Sequence, residues 1–142
     1  MKKVFSLVLA FSILTVCAAA QVTVTVDGTA LSPDGAQPFQ CEDRRVMVPA
    51  DTFFTALGYM ISTDAETNTV LAIGADGEGG FKNIMMQADN VGLYFQNERV
   101  ESDAAPMILE DTFYLPIRAV AEGLGYQVEW NEEAKTVSVI TK

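Results

Sequence analysis

Nineteen carboxylates, two cysteines and no histidine set the chemistry open to this chain of 142 residues. Without an imidazole there is no Ser-His-Asp triad, no Cys-His pair and no histidine ligation of copper or zinc. Acid pairs, a thiol and oxygen ligands remain. Glu110-Asp111 and Glu132-Glu133 are adjacent acids in turn-like sequence, where solvated charge is expected. Glycoside hydrolysis needs two carboxyls facing each other across a cleft with one pKa raised, and their spacing offers nothing of that kind. For calcium, Asp76-Gly77-Glu78-Gly79-Gly80 is acidic and flexible but lacks alternating oxygens and a closing glutamate. Asp64, Glu66 and Asn68 alternate through a short turn, yet a tight site wants about six oxygens, so a solvated hairpin turn is the favoured reading. Met47, Met60, Met85, Met86 and Met107 fall in or beside apolar strands and read as core filling rather than soft-metal ligands. No phosphate loop, zinc spacing or basic-aromatic patch stands out. The sequence therefore nominates no catalytic, cofactor-binding or metal-ligating residue, and no cofactor.

The thiols depend on processing. Lys2 and Lys3, an apolar run over residues 4–16 and Ala18-Ala19-Ala20 together read as a signal peptide of residues 1–20. The run is too short to span a bilayer, which takes about 20 residues. Cleavage before Gln21 leaves residues 21–142, with 19 acidic against 7 basic side chains, a net charge of −12. The alternative is a lipoprotein anchored through Cys17. Leu14-Thr15-Val16-Cys17 resembles the required motif, although Val16 is bulky for its position. Either route predicts a secreted or envelope-associated protein without membrane insertion after signal removal. So acidic a surface repels nucleic acid and anionic membranes, and its simplest role is solubility. Cleavage would leave Cys41 as the one cysteine, so no internal disulfide is expected. Glu42-Asp43 beside it would raise its pKa, which suits a bystander thiol better than a reactive one. An intermolecular disulfide is the alternative.

An internal repeat must position these groups. Val48-Pro49 begins a run through Phe53, Phe54, Leu57, Gly58 and Tyr59. Leu115-Pro116, at an offset of 67 (115 − 48), begins one through Val120, Ala121, Leu124, Gly125 and Tyr126. The register holds to Ile73 and Ile140, as a duplicated unit would require. Val22, Val24 and Val26 alternate with threonines and lead into Asp27-Gly28, a hairpin signal. Pro49 and Pro116 suit the first position of a helix. Ala50, Phe53, Phe54 and Leu57 then fall on one helical face, and Gly58 is placed to end the helix. Ile117, Val120, Ala121 and Leu124 repeat that face before Gly125. Paired strands are predicted over 59–63 and 69–73, and again over 126–130 and 136–140. Between the units, 74–80 reads as a flexible link and 81–88 as another strand, and Asn97-Glu98 is a turn candidate. The expected fold is α+β and mainly antiparallel: two hairpin–short helix–hairpin repeats, about 22–73 and 92–140, joined by 74–91 and sharing one core.

The second unit carries a family resemblance. Phe113-Tyr114-Leu115-Pro116-Ile117-Arg118, Glu122, Leu124-Gly125, Val128-Glu129-Trp130 and Lys135-Thr136-Val137 resemble the copper amine oxidase N-terminal-like, or stalk, domain, and Val24-Thr25-Val26-Asp27-Gly28 resembles its usual opening. The first unit departs from the pattern, with Asp51, Thr55 and Thr63 where the second has Arg118, Glu122 and Trp130. Arg118 and Glu122 are spaced to pair across a helical turn, and Trp130 is expected as a core or strand-face aromatic rather than a sugar platform, the alternative that an exposed Trp130 beside Tyr126 would favour. The resemblance implies a non-catalytic exported module of bacterial envelopes. Its partner would be a protein, a cell-wall component or a second copy. The alternative is a small extracellular enzyme or inhibitor acting through the loops 32–45 and 102–110, which hold equivalent places in the two units. Self-association would use an unpaired edge, with the last strand, 136–141, as the suspect.

Overall fold

Val22, Val24 and Val26 are buried in the computed structural model, which describes residues 20–31, 35–41 and 44–141. Residues 1–19 of the expected signal peptide lie outside the described residues. Strand β1 (Ala20–Gln21) straddles the expected cleavage point and pairs with β4 (Phe39–Gln40). Strands β2 (Thr23–Val26) and β3 (Thr29–Ala30) meet at Asp27-Gly28. Both turn residues have positive φ, 51° and 88°, the form that matches the twist of a two-residue hairpin.

The first sheet has the order β1-β4-β5-β12-β11, with β5 at Val46–Pro49, β11 at Met107–Leu109 and β12 at Thr112–Pro116. Strands β5 and β12 pair antiparallel, Val48 opposite Leu115, Met47 opposite Pro116 and Pro49 opposite Tyr114. Each strand passes directly into a helix, α1 (Ala50–Leu57) or α2 (Ile117–Gly123). The two prolines are therefore N-caps with extended backbone (φ −61° and −77°), not the first helical residues as expected. Each is still the last residue of a strand, and its missing N–H ends the ladder there. Ala50, Phe53 and Phe54 are buried on α1, as are Ile117, Val120 and Ala121 on α2, as their spacing predicts. Gly58 ends α1 in the left-handed conformation (φ 82°), its N–H bonded to the Thr55 carbonyl. Leu124 caps α2.

Two further sheets combine both halves of the chain. One has the order β13-β14-β2-β3, with β13 at Gln127–Asn131 and β14 at Thr136–Ile140. The last strand is thus not an edge, which corrects the expectation for self-association. It pairs antiparallel with β13 and parallel with β2, so the N-terminal hairpin covers it. The Asp27 carboxylate also accepts bonds from the Thr141 N–H (2.9 Å) and hydroxyl (2.7 Å). The other sheet runs β10-β9-β8-β7-β6, with β6 at Met60–Asp64, β7 at Thr69–Ala75, β8 at Phe81–Gln87, β9 at Gly92–Phe95 and β10 at Glu98–Glu101. Strand β8 lies between β7 and β9 and pairs antiparallel with both.

Four local expectations are corrected. The 74–80 segment is no flexible link: Gly74 and Ala75 belong to β7, and Asp76 accepts bonds from the N–H groups of Glu78 (2.8 Å) and Gly80 (2.9 Å), closing a tight turn. The turn between β9 and β10 falls at Gln96-Asn97, both at positive φ, one residue before Asn97-Glu98. Met47 and Met86 fill the core, but Met60 is 80% exposed and Met85 40%, because both point off the solvent face of their sheet. Cys41 is disulfide-bonded, to a partner outside the described residues, and is not the lone thiol expected. It packs against a small cluster of Phe39, Met47 and Tyr114.

One core joins the halves. Val24, Phe53, Phe54 and Val70 share a cluster with Leu115, Val120, Val137 and Val139. Gly74 lies under the Tyr59 ring, where an added Cβ would stand 2.4 Å from the ring. Gly74→Ala is therefore expected to cost about 1–3 kcal/mol in urea unfolding. An unchanged midpoint would show that Tyr59 has room to move. A fragment of residues 21–73 is expected to lack near-ultraviolet circular dichroism, because it loses half of the shared core. A cooperative thermal transition in that fragment would contradict the sharing.

Candidate functional site

The strand-to-helix corners create two grooves. After Pro116 the chain buries Ile117 and turns Arg118 outward, and after Pro49 it buries Ala50 and turns Asp51 outward. Strand β13 supplies Val128 and Trp130 on one face, and β6 supplies Ile61 and Thr63. The residues entering β5 are Arg44, Arg45 and Val46, and those entering β12 are Asp111, Thr112 and Phe113. One groove, of about 720 Å³, is lined by Asp51, Asp64 and Asp111 with Ile61, Thr63 and Phe113 among its other walls. The second, of about 320 Å³, is lined by Arg44, Arg45, Asp103 and Arg118 with Val128 and Trp130. Position for position at the same offset of 67, Arg44 corresponds to Asp111, Asp51 to Arg118 and Thr63 to Trp130. The first groove carries three carboxylates. The second is lined by three guanidiniums and one carboxylate, in a chain of net −10.

The basic groove is held by short-range pairing. Arg118 Nη1 lies 3.0 Å from Glu122 Oε2, the pairing expected from the sequence, and both side chains are about half exposed. An exposed pair of this kind adds only a few tenths of a kcal/mol. Arg45 meets Asp103 at 3.9 Å, and Cys41 and Arg45 line a further cavity of about 320 Å³ with Asp103, Ala104 and Pro106, so described residues of the two expected loops do lie near each other. Trp130 is half-buried against the core edge, as expected for a strand-face aromatic. Its indole N–H donates to Glu132 Oε1 (2.8 Å), and Lys135 donates to Glu132 Oε2 (2.8 Å). These bonds, from Lys135 first and Trp130 second, hold the Glu132 carboxyl below the usual range. Trp130 and Arg118 stand out separately in the sequence, whereas Arg44 and Arg45 do not. The expected absence of a basic-aromatic patch is therefore corrected. The patch assembles only when β4 and β5 carry the loop arginines to α2 and β13.

The remaining candidates resolve as turns. Asp64 Oδ1 accepts from the Glu66 N–H (2.9 Å), and Glu66 and Asn68 are exposed. The Asp76 carboxyl is held below its usual range, chiefly by the N–H groups of Glu78 and Gly80. Glu110-Asp111 turns between β11 and β12, and Glu132-Glu133 between β13 and β14. Among the described residues no group of three His, Cys, Asp or Glu side chains is placed to hold a metal ion. Away from both grooves, the hydroxyls of Tyr59 and Tyr126 lie 2.7 Å apart. Lys82 sits 4.8 Å from the Tyr126 ring centre and donates to the Leu124 carbonyl (2.6 Å).

Fold and grooves together define a small, sheet-rich α+β domain with concave surfaces of opposite charge. The chain belongs to the copper amine oxidase N-terminal domain family, whose model matches residues 22–139. No curated protein and no solved structure matches it.

Burial, then the Tyr126 hydrogen bond and that neighbour's charge, push the Tyr59 phenol far above its ordinary 10.0. Burial followed by Glu110 raises Tyr114 as well. With the folded value above the unfolded one, the associated stability is intact below about pH 10 and is lost as pH rises further. Unfolding free energy is therefore expected to fall above about pH 10. Tyr59→Phe should lose about 1 kcal/mol at neutral pH and show a shallower alkaline fall. An equally steep fall in the variant would assign the effect to other groups.

Proposed function

We propose that this protein is an exported, non-catalytic binding module built from two diverged copies of one unit. The observation that carries the reading is the basic, tryptophan-walled groove in an otherwise acidic chain. Family membership over 22–139 supports a module rather than an enzyme, and the lack of histidine removes the common nucleophile-activating pairs. The duplication is supported by the β5–β12 register, in which Val48 faces Leu115, its own counterpart at the offset of 67, and the flanking pairs Met47–Pro116 and Pro49–Tyr114 are each other's counterparts. Tyr59 and Tyr126 also meet at that offset. In this reading β8 is an insertion, since β14 pairs directly with β2 whereas β7 reaches β9 through β8. Duplication followed by divergence leaves the core unchanged in kind and frees the exposed corners to specialise.

Export rests on the charged start, apolar run and alanines of residues 1–20. The processed protein is expected to begin at Gln21 in intact-mass measurement. A lipid-modified start at Cys17 would contradict that processing. Binding is tested by offering the processed protein, immobilised, to the producing cell's surface fraction and medium. Saturable retention of one protein or wall polymer in moderate salt is expected. Turnover of a polysaccharide or peptide, abolished by substituting one acid pair, would overturn the reading.

A further inference from the structure

We propose that the groove of Arg44, Arg45, Arg118 and Trp130 binds an acidic saccharide unit, a pyranose ring carrying one carboxylate; this rests on the binding-module reading and names its ligand class. Its volume, about 320 Å³, lies at the low end of the ~300–1,000 Å³ of small-molecule sites and suits one or two sugar rings. Its walls divide by chemistry. Val128 and the Trp130 indole, both partly exposed, offer the apolar surface that the C–H face of a pyranose needs. The guanidiniums offer forks that match a carboxylate in two-pronged geometry.

Two features favour this ligand over other anions. The chain as a whole is net −10, so a polyanion would be repelled along most of its length, whereas a ring with one carboxylate among neutral hydroxyls presents its charge only to the groove. The indole is also held in place through Glu132 and Lys135, so little ordering remains to be done on binding. The equivalent groove has aspartates at the places of Arg44 and Arg118 and a threonine at the place of Trp130. It lacks both halves of this chemistry and serves as an internal control.

Trp130 is the single tryptophan, so one indole resonance and one fluorescence signal report the groove. The processed protein is titrated with glucuronate, glucose and glucose 6-phosphate. Glucuronate is expected to shift the indole signal saturably, glucose to do so at least about tenfold more weakly, and added salt to weaken glucuronate alone. The exposed double variant R44Q/R118Q should bind glucuronate about tenfold more weakly with an unchanged melting temperature, and D51N should bind as wild type. An indole signal that ignores all three compounds, or glucose binding as tightly as glucuronate, would overturn the proposal. Equal binding of glucose 6-phosphate would overturn the preference for carboxylate. If R44Q/R118Q retains the same surface material as wild type in the capture experiment, the groove assignment falls and the module reading stands.

Discussion

The antiparallel pairing of β5 with β12 is the constraint on which the rest of the structure depends. Val48 and Leu115 face each other across it and are both fully buried. Each strand ends at a proline, and the chain passes at once into a helix that packs back on the same two strands. Phe53 and Phe54 from one helix and Val120 and Ala121 from the other therefore enter one cluster. Each large side chain contributes about 1.5–3 kcal/mol when removed from water. Neither helix, at 8 and 7 residues, would persist without that packing.

The same constraint makes the grooves. A strand that ends in proline and turns into a helix must bury the next residue and expose the one after it, which puts Asp51 and Arg118 at equivalent corners. The hairpins after each helix then supply a wall, Ile61 and Thr63 in one case and Val128 and Trp130 in the other. Because these corner positions face solvent, their charge is not set by the core. One frame thus carries two grooves whose chemistry differs by a few exposed side chains.

Much of the frame was legible in the sequence where a period was at work. The valine alternation before Asp27-Gly28 and the two helical faces appear where expected because burial on one side leaves a repeating trace. Pairing between distant strands leaves no such trace. Nothing local in Thr136–Ile140 tells that β2 will lie beside it in parallel, and β4 and β11 are too short, at two and three residues, to alternate. The groove was half legible. Its signal was the mismatch between the halves, Arg118 against Asp51 and Trp130 against Thr63, which the sequence displays openly. Its other half, Arg44 and Arg45, sits in a loop without periodicity, and only the β4–β5 hairpin brings it to α2.

Native-state hydrogen exchange across β5 and β12 tests the shared frame most directly. If the pairing holds both halves in one cooperative unit, the slowest amides of β5, β12, α1 and α2 should open with the same free energy and the same denaturant dependence, that of global unfolding. Amides of one half exchanging through a separate, cheaper opening while the other half stays protected would contradict it.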